Sequence, residues 1–347
     1  MRMKPLGRTG MMVSELCLGS MTWGTQTTAE VGHAQIDMAL ERGVNFIDTA
    51  EMYPVNPISA ETIGRTEEII GQWNARSGRR DEVILATKHS GAGMKHARDG
   101  AEISSKTIPA AIEASLRRLQ TDHIDLYQFH WPNRGSYMFR QNWAFDPSSQ
   151  NRAETINHME EALDALQRQV DKGTIRAFGL SNESAWGTGQ WLRLSEDRGL
   201  PRVASIQNEY SLMCRLYDTD LAELGVNEDV GLLAFSPMAA GFLTGKYQGG
   251  AVPEGSRMSL NADLGGRKTH RAFAAVDAYL DIARQHGLNV VHMALAWAAR
   301  RPFTCSAIFG ATTLAQLDMA LGAAQVELSA EVLQDIDTAH RAHPMPY

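Results

Sequence analysis

The chain has 347 residues, of which 44% are hydrophobic and 21% charged, so it can fold around a core as one large domain or two medium ones. Its formal net charge is −7 and it has no block of Lys or Arg, which makes nucleic acids and anionic membranes poor candidates as partners. No apolar run approaches the ~20 residues needed to span a bilayer, which argues against an integral membrane protein.

The cysteine pattern indicates a reducing compartment. Cys17, Cys214 and Cys305 lie far apart, show no C-x-x-C spacing and, being three, cannot pair completely. The first residues, MRMKPLGRTGMMVSEL, lack the long apolar core of a secretion signal. We therefore expect a cytoplasmic protein.

Short runs of apolar and β-branched residues alternate along the chain with longer segments of helical period. The strand candidates, in chain order, cover residues 13–20, 44–50, 82–88, 123–130, 174–182, 203–211, 230–237 and 304–312. The clearest helix candidates cover residues 29–41, 107–119, 155–172 and 185–197. In ERGV and DKGT a glycine follows the helical segment, where a helix should end before the next strand.

Strands that alternate with helices predict a parallel sheet, because parallel neighbours need a crossover connection. Eight strands favour a closed barrel over an open doubly wound sheet. An open sheet that binds a dinucleotide should carry G-x-G-x-x-G after its first strand. GTGQWL from Gly187 lies inside a helix candidate and lacks the third glycine. We predict an α/β fold in which residues 1–347 form a single (β/α)8 TIM-barrel domain with an N-terminal β-hairpin.

Two predicted connections are too long to be simple turns: residues 131–152 after the fourth strand and residues 238–271 after the seventh. Long loops in compact domains are commonly functional lids. The first loop is rich in rings that could wall a pocket or simply pack the loop onto the barrel. These rings are Trp131, Tyr137, Phe139, Trp143 and Phe145.

Polar residues follow the strands at the end where barrel enzymes keep their chemistry, since the carboxyl ends of all strands converge on one rim. In chain order these residues are Asp48 and Tyr53, Lys88, His130, Ser181 and Asn182, Gln207 and Tyr210, Ser236, and Gly310 to Thr312. Each has an ordinary structural interpretation when taken alone, such as a turn cap, a solvated amine or a packing histidine. An acid, a phenol, an amine and an imidazole at consecutive strand ends are much harder to dismiss together.

Motifs over nearly the whole chain carry a resemblance to a known family. In order they are LGRTGMMVSELCLGSMTWG, FIDTAEMY, ATKHS, LQTDHIDLYQFHWP, GLSNES, IQNEYSL, FSPMAAGFLTGKY and GATTLAQL. The chain resembles the aldo-keto reductases, and within them the bacterial Tas-type and potassium-channel β-subunit-like branch. The resemblance implies NADPH-dependent reduction of a carbonyl group.

By that resemblance Asp48, Tyr53, Lys88 and His130 match the catalytic tetrad. Carbonyl reduction needs an acid beside the developing alkoxide, and an unperturbed tyrosine has a pKa of ~10, which is high for proton exchange at neutral pH. We expect the Lys88 ammonium to lower the pKa of Tyr53 and Asp48 to hold Lys88 charged. Neutral His130 would direct the carbonyl oxygen toward Tyr53.

The resemblance also assigns a cofactor site across the barrel mouth. The nicotinamide carboxamide falls to Ser181, Asn182 and Gln207, and the ring that stacks on it to Tyr210. Pyrophosphate falls to Ser236, Met238 and Gly241. The expected contacts of the 2′-phosphate are Lys246, Arg257 and Thr312, and Gly310 lies beside Thr312. The expected contact of the adenosine is Gln316. The expected substrate pocket contains Trp23 and Trp131. Without the family match, Lys246 and Arg257 could be ordinary loop charges.

Three departures from the family pattern bear on the cofactor and the pocket. The usual Glu-Asn pair after Gln316 is replaced by Met319 and Ala320, and Thr312 stands where many relatives have a basic residue. These replacements remove polar contacts to the cofactor, so we expect NADPH as the cofactor with NADH as the alternative. After Tyr53 the chain has a proline and an insertion, VNPISAETIG, in place of the usual glycine, which could reshape the pocket.

Two other functions compete with a carbonyl reductase. Channel-associated relatives keep the barrel and its nucleotide and serve as regulatory or redox-sensing subunits. A metal-dependent hydrolase would need clustered ligands, but the sequence has no H-x-H or H-E-x-x-H, so we expect no metal. G-x-S-x-G is also absent. We expect a small carbonyl compound as the partner; the sequence does not identify it or the oligomeric state.

Overall fold

The structure, a computed structural model, describes all residues 1–347. An antiparallel hairpin of β1 (Met3–Pro5) and β2 (Met12–Ser14) precedes a closed barrel of eight parallel strands. The barrel strands are β3 (Leu16–Gly19), β4 (Phe46–Asp48), β5 (Ile84–His89), β6 (Ile124–Phe129), β7 (Ile175–Ser181), β8 (Val203–Glu209), β9 (Gly231–Phe235) and β10 (Thr304–Phe309). The predicted α/β fold, a TIM barrel with an N-terminal hairpin, is confirmed.

Helices follow every barrel strand. They are α1 (Ala29–Glu41), α2 (Arg65–Ser77), α3 (Thr107–Leu119), α4 (Arg152–Asp171), α5 (Ala185–Arg198), α6 (Asp220–Asn227), α7 (Arg257–Leu260), α8 (His270–Gln285), α9 (Val290–Ala299), α10 (Leu314–Leu321) and α11 (Ala330–Ala342). Helices α8 and α11, additional to one helix per strand, pack against each other. No helix has the length and apolar character needed to cross a membrane.

The predicted elements differ from the structure at several boundaries, and two of these differences have a structural explanation. The candidate at residues 13–20 divides at Glu15: Met12–Ser14 pairs with β1, whereas Leu16–Gly19 joins the barrel. Helix α4 begins three residues before the predicted start, because the Asn151 side chain accepts hydrogen bonds from the N–H groups of Ala153 and Glu154 and so caps the helix.

The hairpin closes the amino end of the barrel. Its residues Leu6, Met11 and Val13 are buried in one cluster with inward-facing residues of the barrel strands. At the tip of the hairpin, Gly7 has a φ of 52° and a Cβ there would lie 2.5 Å from the Ala204 carbonyl oxygen, so the turn requires glycine. Burying each large apolar side chain contributes roughly 1.5–3 kcal/mol. With this end packed, only the carboxyl end is left as a mouth.

Both long loops and the C-terminal residue meet at Glu209, the last residue of β8. Glu209 accepts hydrogen bonds from Arg140 of the first loop (2.9 Å), Arg267 of the second loop (2.8 Å) and the Tyr347 hydroxyl (3.1 Å). Burial alone would raise the pKa of Glu209, but Arg267 and Arg140 outweigh it and lower the pKa. The carboxylate thus stays charged and fixes both loops beside the mouth. We call these four residues the Glu209 cluster.

Candidate active site

Inside the barrel, a layer of apolar side chains lies below a layer of polar side chains. Side chains two residues apart along a strand point to the same face, so each strand contributes to both layers. The apolar layer includes Phe46, Ala86 and Leu126. Two residues further along the same strands come Asp48, Lys88 and Gln128, with Lys88 paired in register with Gln128. The barrel therefore brings an acid, an amine and an amide together at its mouth.

Lys88 and Asp48 form a buried ion pair. Lys88 is 0% exposed, and its Nζ donates to Asp48 Oδ2 at 2.6 Å and to the Thr49 carbonyl oxygen at 2.8 Å. Burial alone would lower the pKa of Lys88, but Asp48 and Tyr53 outweigh it, and the pKa lies above its usual value. Lys88 is therefore an ammonium at neutral pH.

Tyr53 lies against this ammonium, with Lys88 Nζ 5.0 Å from the centre of its ring. Burial raises the pKa of the phenol, the Lys88 charge opposes that rise, and the net pKa lies above the ordinary value. Lys88 thus lowers the pKa of the phenol as expected, but the cost of burying the phenolate is the larger effect and determines the net direction. At neutral pH Tyr53 is a protonated phenol that can donate.

His130 follows β6 and faces Tyr53 edge-on, with ring centres 5.9 Å apart and an interplanar angle of 78°. Its Nδ1 is buried without a hydrogen-bond partner. Burial, and secondarily the Lys88 charge, holds the pKa of His130 well below its usual value, so the imidazole is neutral. Trp131 is partly exposed beside it, ring centres 5.0 Å apart, as expected for a residue of the mouth wall.

Two glutamines complete the shell around Asp48. Gln128 Nε2 and Gln207 Nε2 both donate to Asp48 Oδ1, at 3.1 and 2.8 Å. Our sequence analysis did not identify Gln128. The signal was available, since Gln128 lies two residues before His130 in YQFH and so shares its face of the strand.

Glu51 joins the segment that carries Tyr53 to the end of β5. Its carboxylate accepts the Ser90 N–H at 2.6 Å and an Arg98 N–H at 2.5 Å, and only 5% of the residue is exposed. Burial would raise the pKa of Glu51, but Arg98 and its neighbours lower it. Glu51 thus fixes the position of the segment that carries Tyr53 relative to the end of β5. It was not among the expected site residues.

Ser181 and Asn182 lie beside His130. Ser181 Oγ donates to the Gln207 carbonyl oxygen at 2.7 Å, and Asn182 Nδ2 donates to the His130 carbonyl oxygen at 2.9 Å. Asn182 has a φ of 54°, which asparagine tolerates better than most residues. Its Oδ1 is buried without a partner. Such an orphaned acceptor is costly unless a ligand donates to it.

The loop after β9 carries the expected phosphate-binding residues. Gly241 has a φ of 88°, and a Cβ there would lie 3.3 Å from Lys246 Nζ, so the backbone and this ammonium lie close together. Lys246 is exposed, Arg257 is partly buried, and neither forms an ion pair with a carboxylate. Burial, then the charge of Arg267, lowers the pKa of Arg257. Two uncompensated cations are suited to an anionic ligand.

The other expected phosphate and adenosine contacts lie on the same rim. Ser236 and Met238 are partly exposed at the start of the loop after β9, and Gly310 is exposed just after β10. Gln316 Oε1 accepts from the N–H and Oγ1 of Thr312, at 2.9 and 3.0 Å. The structure thus brings these residues to one side of the mouth.

Two expected site residues do not reach the mouth. Tyr210 is 0% exposed, its ring stacks on Trp297 at 5.2 Å and 10°, and its hydroxyl donates to Asp218 at 2.6 Å. Trp23 is also 0% exposed, and its Nε1 donates to Gln35 Oε1 at 3.0 Å. Both rings are fully packed by other residues. Tyr210 therefore cannot stack on a nicotinamide, and Trp23 cannot line a substrate pocket.

Phe235 supplies a ring where Tyr210 does not. It ends β9, two residues after Leu233 of the inner layer, so it faces the barrel axis, and it is partly exposed. The sequence analysis missed Phe235 because an apolar residue at the end of an apolar strand looks like core. Counting alternation from Leu233 could have found it.

A cavity of about 300 Å³ lies outside the barrel, between the ends of β6 and β7 and the helices α4 and α5. Its walls include Phe129, His158, Leu180 and Trp191. No tetrad residue lines it, but Ser181 of the expected cofactor site does, so the cavity adjoins the candidate active site. No group of three or more His, Cys, Asp or Glu residues in the chain is arranged to hold a metal ion.

Comparisons with known proteins agree with the barrel fold. The model of the Aldo/keto reductase family matches residues 15–341. The chain is 42% identical over 340 residues to "Protein tas" from Escherichia coli (strain K12), with 96% of each chain covered. It is 32% identical over 334 residues to "Uncharacterized oxidoreductase YrpG" from Bacillus subtilis (strain 168), which covers 95% of this chain and 93% of that one.

A third relative has a different printed role. The chain is 31% identical over 358 aligned positions to "Probable voltage-gated potassium channel subunit beta" from Arabidopsis thaliana, with 99% of this chain and 98% of that one covered. The expected resemblance to a Tas-type and channel β-subunit-like branch is thus confirmed.

Proposed function

Since the chain belongs to the aldo/keto reductase family of oxidoreductases, we propose that it is an NADPH-dependent reductase of aldehydes or activated ketones. The observation that carries the proposal is the Lys88–Asp48 ion pair with Tyr53 against the ammonium and neutral His130 facing the phenol. This arrangement suits the delivery of a proton to a carbonyl oxygen.

The mouth fits the nicotinamide cofactor that the family uses. The orphaned Asn182 Oδ1, with Ser181 and Gln207, suits the carboxamide, and the Phe235 ring suits one face of the nicotinamide. When bound, the reduced nicotinamide supplies the hydride. Ser236, Met238 and the tight backbone at Gly241 suit the pyrophosphate.

The remaining cofactor contacts bear on the choice between NADPH and NADH. Lys246 and Arg257 have no carboxylate partners and suit a 2′-phosphate, with Thr312 and Gln316 toward the adenosine. Met319 is 44% exposed and Ala320 is buried, so neither adds a polar contact to adenine. We propose a preference for NADPH with modest affinity, and use of NADH at higher concentrations.

The four tetrad residues carry out the proton transfer. Tyr53 donates it to the carbonyl oxygen, and Lys88 stabilises the phenolate that remains. Asp48 keeps Lys88 charged and in place. Neutral His130 directs the carbonyl oxygen toward the phenol, since an imidazole with a depressed pKa can donate a hydrogen bond without carrying charge.

The substrate and setting follow from the mouth and the composition. Trp131 lies beside His130, and the insertion follows Tyr53 directly in the sequence, so we propose a small carbonyl compound rather than a nucleic acid or a membrane as the partner. All three cysteines are free, which supports action in the cytoplasm.

The test is loss of nicotinamide absorbance with NADPH and NADH against aldehydes, dicarbonyls and quinones, for the wild type and Tyr53→Phe. We expect Tyr53→Phe to lose about 10²–10⁴-fold in kcat while nucleotide affinity stays nearly unchanged. Tyr210→Phe is the matched control, because it removes a phenol hydroxyl that bonds Asp218 away from the tetrad. Turnover retained by Tyr53→Phe would contradict the role of Tyr53 as the acid.

The pH profile adds a second check. The pKa of His130 lies well below its usual value and that of Tyr53 above its usual value. The rate of carbonyl reduction should therefore show no inflection near the ordinary histidine pKa of about 6.5. An inflection there that disappears in a His130 variant would contradict a neutral His130.

The alternative function is a nucleotide-binding regulatory or redox-sensing subunit. The similarity to a protein named as a probable channel β subunit favours it. Tightly held NADP(H) with negligible turnover across the carbonyl panel would support this alternative over the reductase.

A further inference from the structure

The charge of Asp48 determines how the neighbouring amides are oriented. A carboxylate has only acceptor atoms, so each amide that contacts it must turn its NH2 group toward it. Gln128 Nε2 donates to Asp48 Oδ1 at 3.1 Å, which turns Gln128 Oε1 away from Asp48. Gln128 is 0% exposed, so its amide has no water with which to exchange this bond.

The orientation passes from Gln128 to Gln207. Gln207 Nε2 donates to Asp48 Oδ1 at 2.8 Å and to Gln128 Oε1 at 3.1 Å, so both of its N–H groups are engaged inside the barrel. Gln207 Oε1 accepts no hydrogen bond from the protein. It is also not fully buried, so a ligand can reach it. Toward the mouth Gln207 can therefore offer an acceptor and no donor.

Asn182 shows the same pattern next to it. Its Nδ2 donates to the His130 carbonyl oxygen at 2.9 Å and to Ser181 Oγ at 3.1 Å. Its Oδ1 has no partner. The Asn182 N–H donates to the Gln207 carbonyl oxygen at 3.0 Å, so the two residues are neighbours. Both amides thus turn their NH2 groups inward and keep an unused acceptor.

We propose that Gln128 is a positioning residue which, together with Asp48, locks the Gln207 amide so that the mouth accepts only a ligand group with N–H donors. This proposal rests on the proposed function, in which that group is the nicotinamide carboxamide. Asp48, which orients Lys88, then also selects the cofactor through the Gln207 amide.

The first test is binding of NADP⁺ and of its 3-acetylpyridine analogue to the wild type, measured by titration calorimetry. The analogue has a methyl group in place of the amide NH2 and so lacks the donors. We expect it to bind about tenfold more weakly, because it leaves a buried acceptor unpaired. Equal affinities would overturn the proposal, and an absence of any nucleotide binding would overturn the proposed function itself.

The second test uses two substitutions of similar shape. In Gln128→Met the second Gln207 N–H loses its acceptor, so discrimination between NADP⁺ and the analogue should shrink several-fold. In Gln128→Glu the new carboxyl, buried beside Asp48, should have a raised pKa. While protonated it can donate to Asp48 and accept from Gln207 as Gln128 does.

The Kd of Gln128→Glu for NADP⁺, divided by that of the wild type at the same pH, should therefore be near one at about pH 6. It should rise to about tenfold by about pH 9 as the new carboxyl ionises. Dividing by the wild type removes the titration of the 2′-phosphate. A purely structural role for Gln128 would give a ratio independent of pH, and that result would overturn the proposal.

Discussion

Asp48 and Asp125 are buried carboxylates in one barrel, the first at the open carboxyl end and the second at the closed amino end, and they are 2% and 1% exposed. Asp125 accepts hydrogen bonds from Arg80 at 2.8 Å, Arg176 at 2.8 Å and the Leu85 N–H at 2.9 Å. Asp48 likewise accepts three hydrogen bonds, from Lys88 and two glutamine amides.

The two sites differ in what surrounds the carboxylate. The hydrogen-bond partners of Asp125 are two guanidinium groups, which do not release protons near neutral pH, and a backbone N–H of the sheet. The His123 imidazole lies 3.9 Å from Asp125 Oδ1, which is too far for a hydrogen bond. The main partner of Asp48 is an ammonium that also touches a phenol, beside orphaned atoms at His130 and Asn182. Burial and ion pairing of a carboxylate therefore do not by themselves indicate function. A proton donor and unpaired polar atoms beside the ion pair do indicate function.

Removing the cation at the open end should have the largest effect. We expect Lys88→Met to lower kcat by about 10²–10⁴-fold, since the phenolate of Tyr53 loses its stabilising charge. It should also lower the free energy of unfolding by about 3–5 kcal/mol, because Asp48 is left buried without an opposite charge. Steady-state kinetics and urea unfolding measure the two effects. Unchanged kcat in a folded variant would remove the distinction between the ends.

Removing the carboxylate at the closed end should cost stability alone. We expect Asp125→Ala to lose on the order of 3 kcal/mol, because Arg80 is left mostly buried without its partner. Arg176 is half exposed and can be hydrated, so it should add little to the loss. In urea unfolding the midpoint should fall, while kcat of the folded enzyme stays within about twofold of wild type. A large loss of kcat would show that the amino end contributes to the chemistry.

The sequence predicted the barrel and the rim because both follow from local patterns. Strand alternation and family motifs in order identified Asp48, Tyr53, Lys88 and His130, and the structure brings all four together. Motif matching gave the position of Tyr210 but not the direction of its ring, which depends on packing against Trp297, 87 positions later in the numbering of the chain. Trp23 failed for the same reason.

Other features depend on contacts that no local pattern contains. The direction of the pKa shift of Tyr53 is set by how deeply the phenol is buried, which only the assembled mouth determines. The Glu209 cluster joins residues separated in sequence by 69 and 138 positions. Alternation could have placed Gln128 on the inner face, but its contact with Asp48 needs the closed barrel.

The smallest expected effect concerns two rings of opposite exposure at the open end. Phe235 and Tyr210 are neighbours, since the Tyr210 N–H donates to the Phe235 carbonyl oxygen at 3.1 Å. Phe235 is partly exposed toward the barrel axis, whereas Tyr210 is stacked on Trp297. Phe235→Leu should raise the Kd for NADP⁺ by about two- to tenfold, the worth of one aromatic stacking contact, with little change in the free energy of unfolding.

Tyr210→Leu is the matched control and should behave in the opposite way. It removes a stacked ring from the core and leaves the Asp218 carboxylate without the phenol, so it should lower the free energy of unfolding by about 2–4 kcal/mol. The Kd of the folded protein for NADP⁺ should not change, because no part of the Tyr210 ring reaches the mouth. Calorimetric titration and urea unfolding of both variants separate the two roles. If Tyr210→Leu weakens the nucleotide while Phe235→Leu does not, the nicotinamide lies against Tyr210, and a ring with no exposed surface in this structure must become accessible when the cofactor binds.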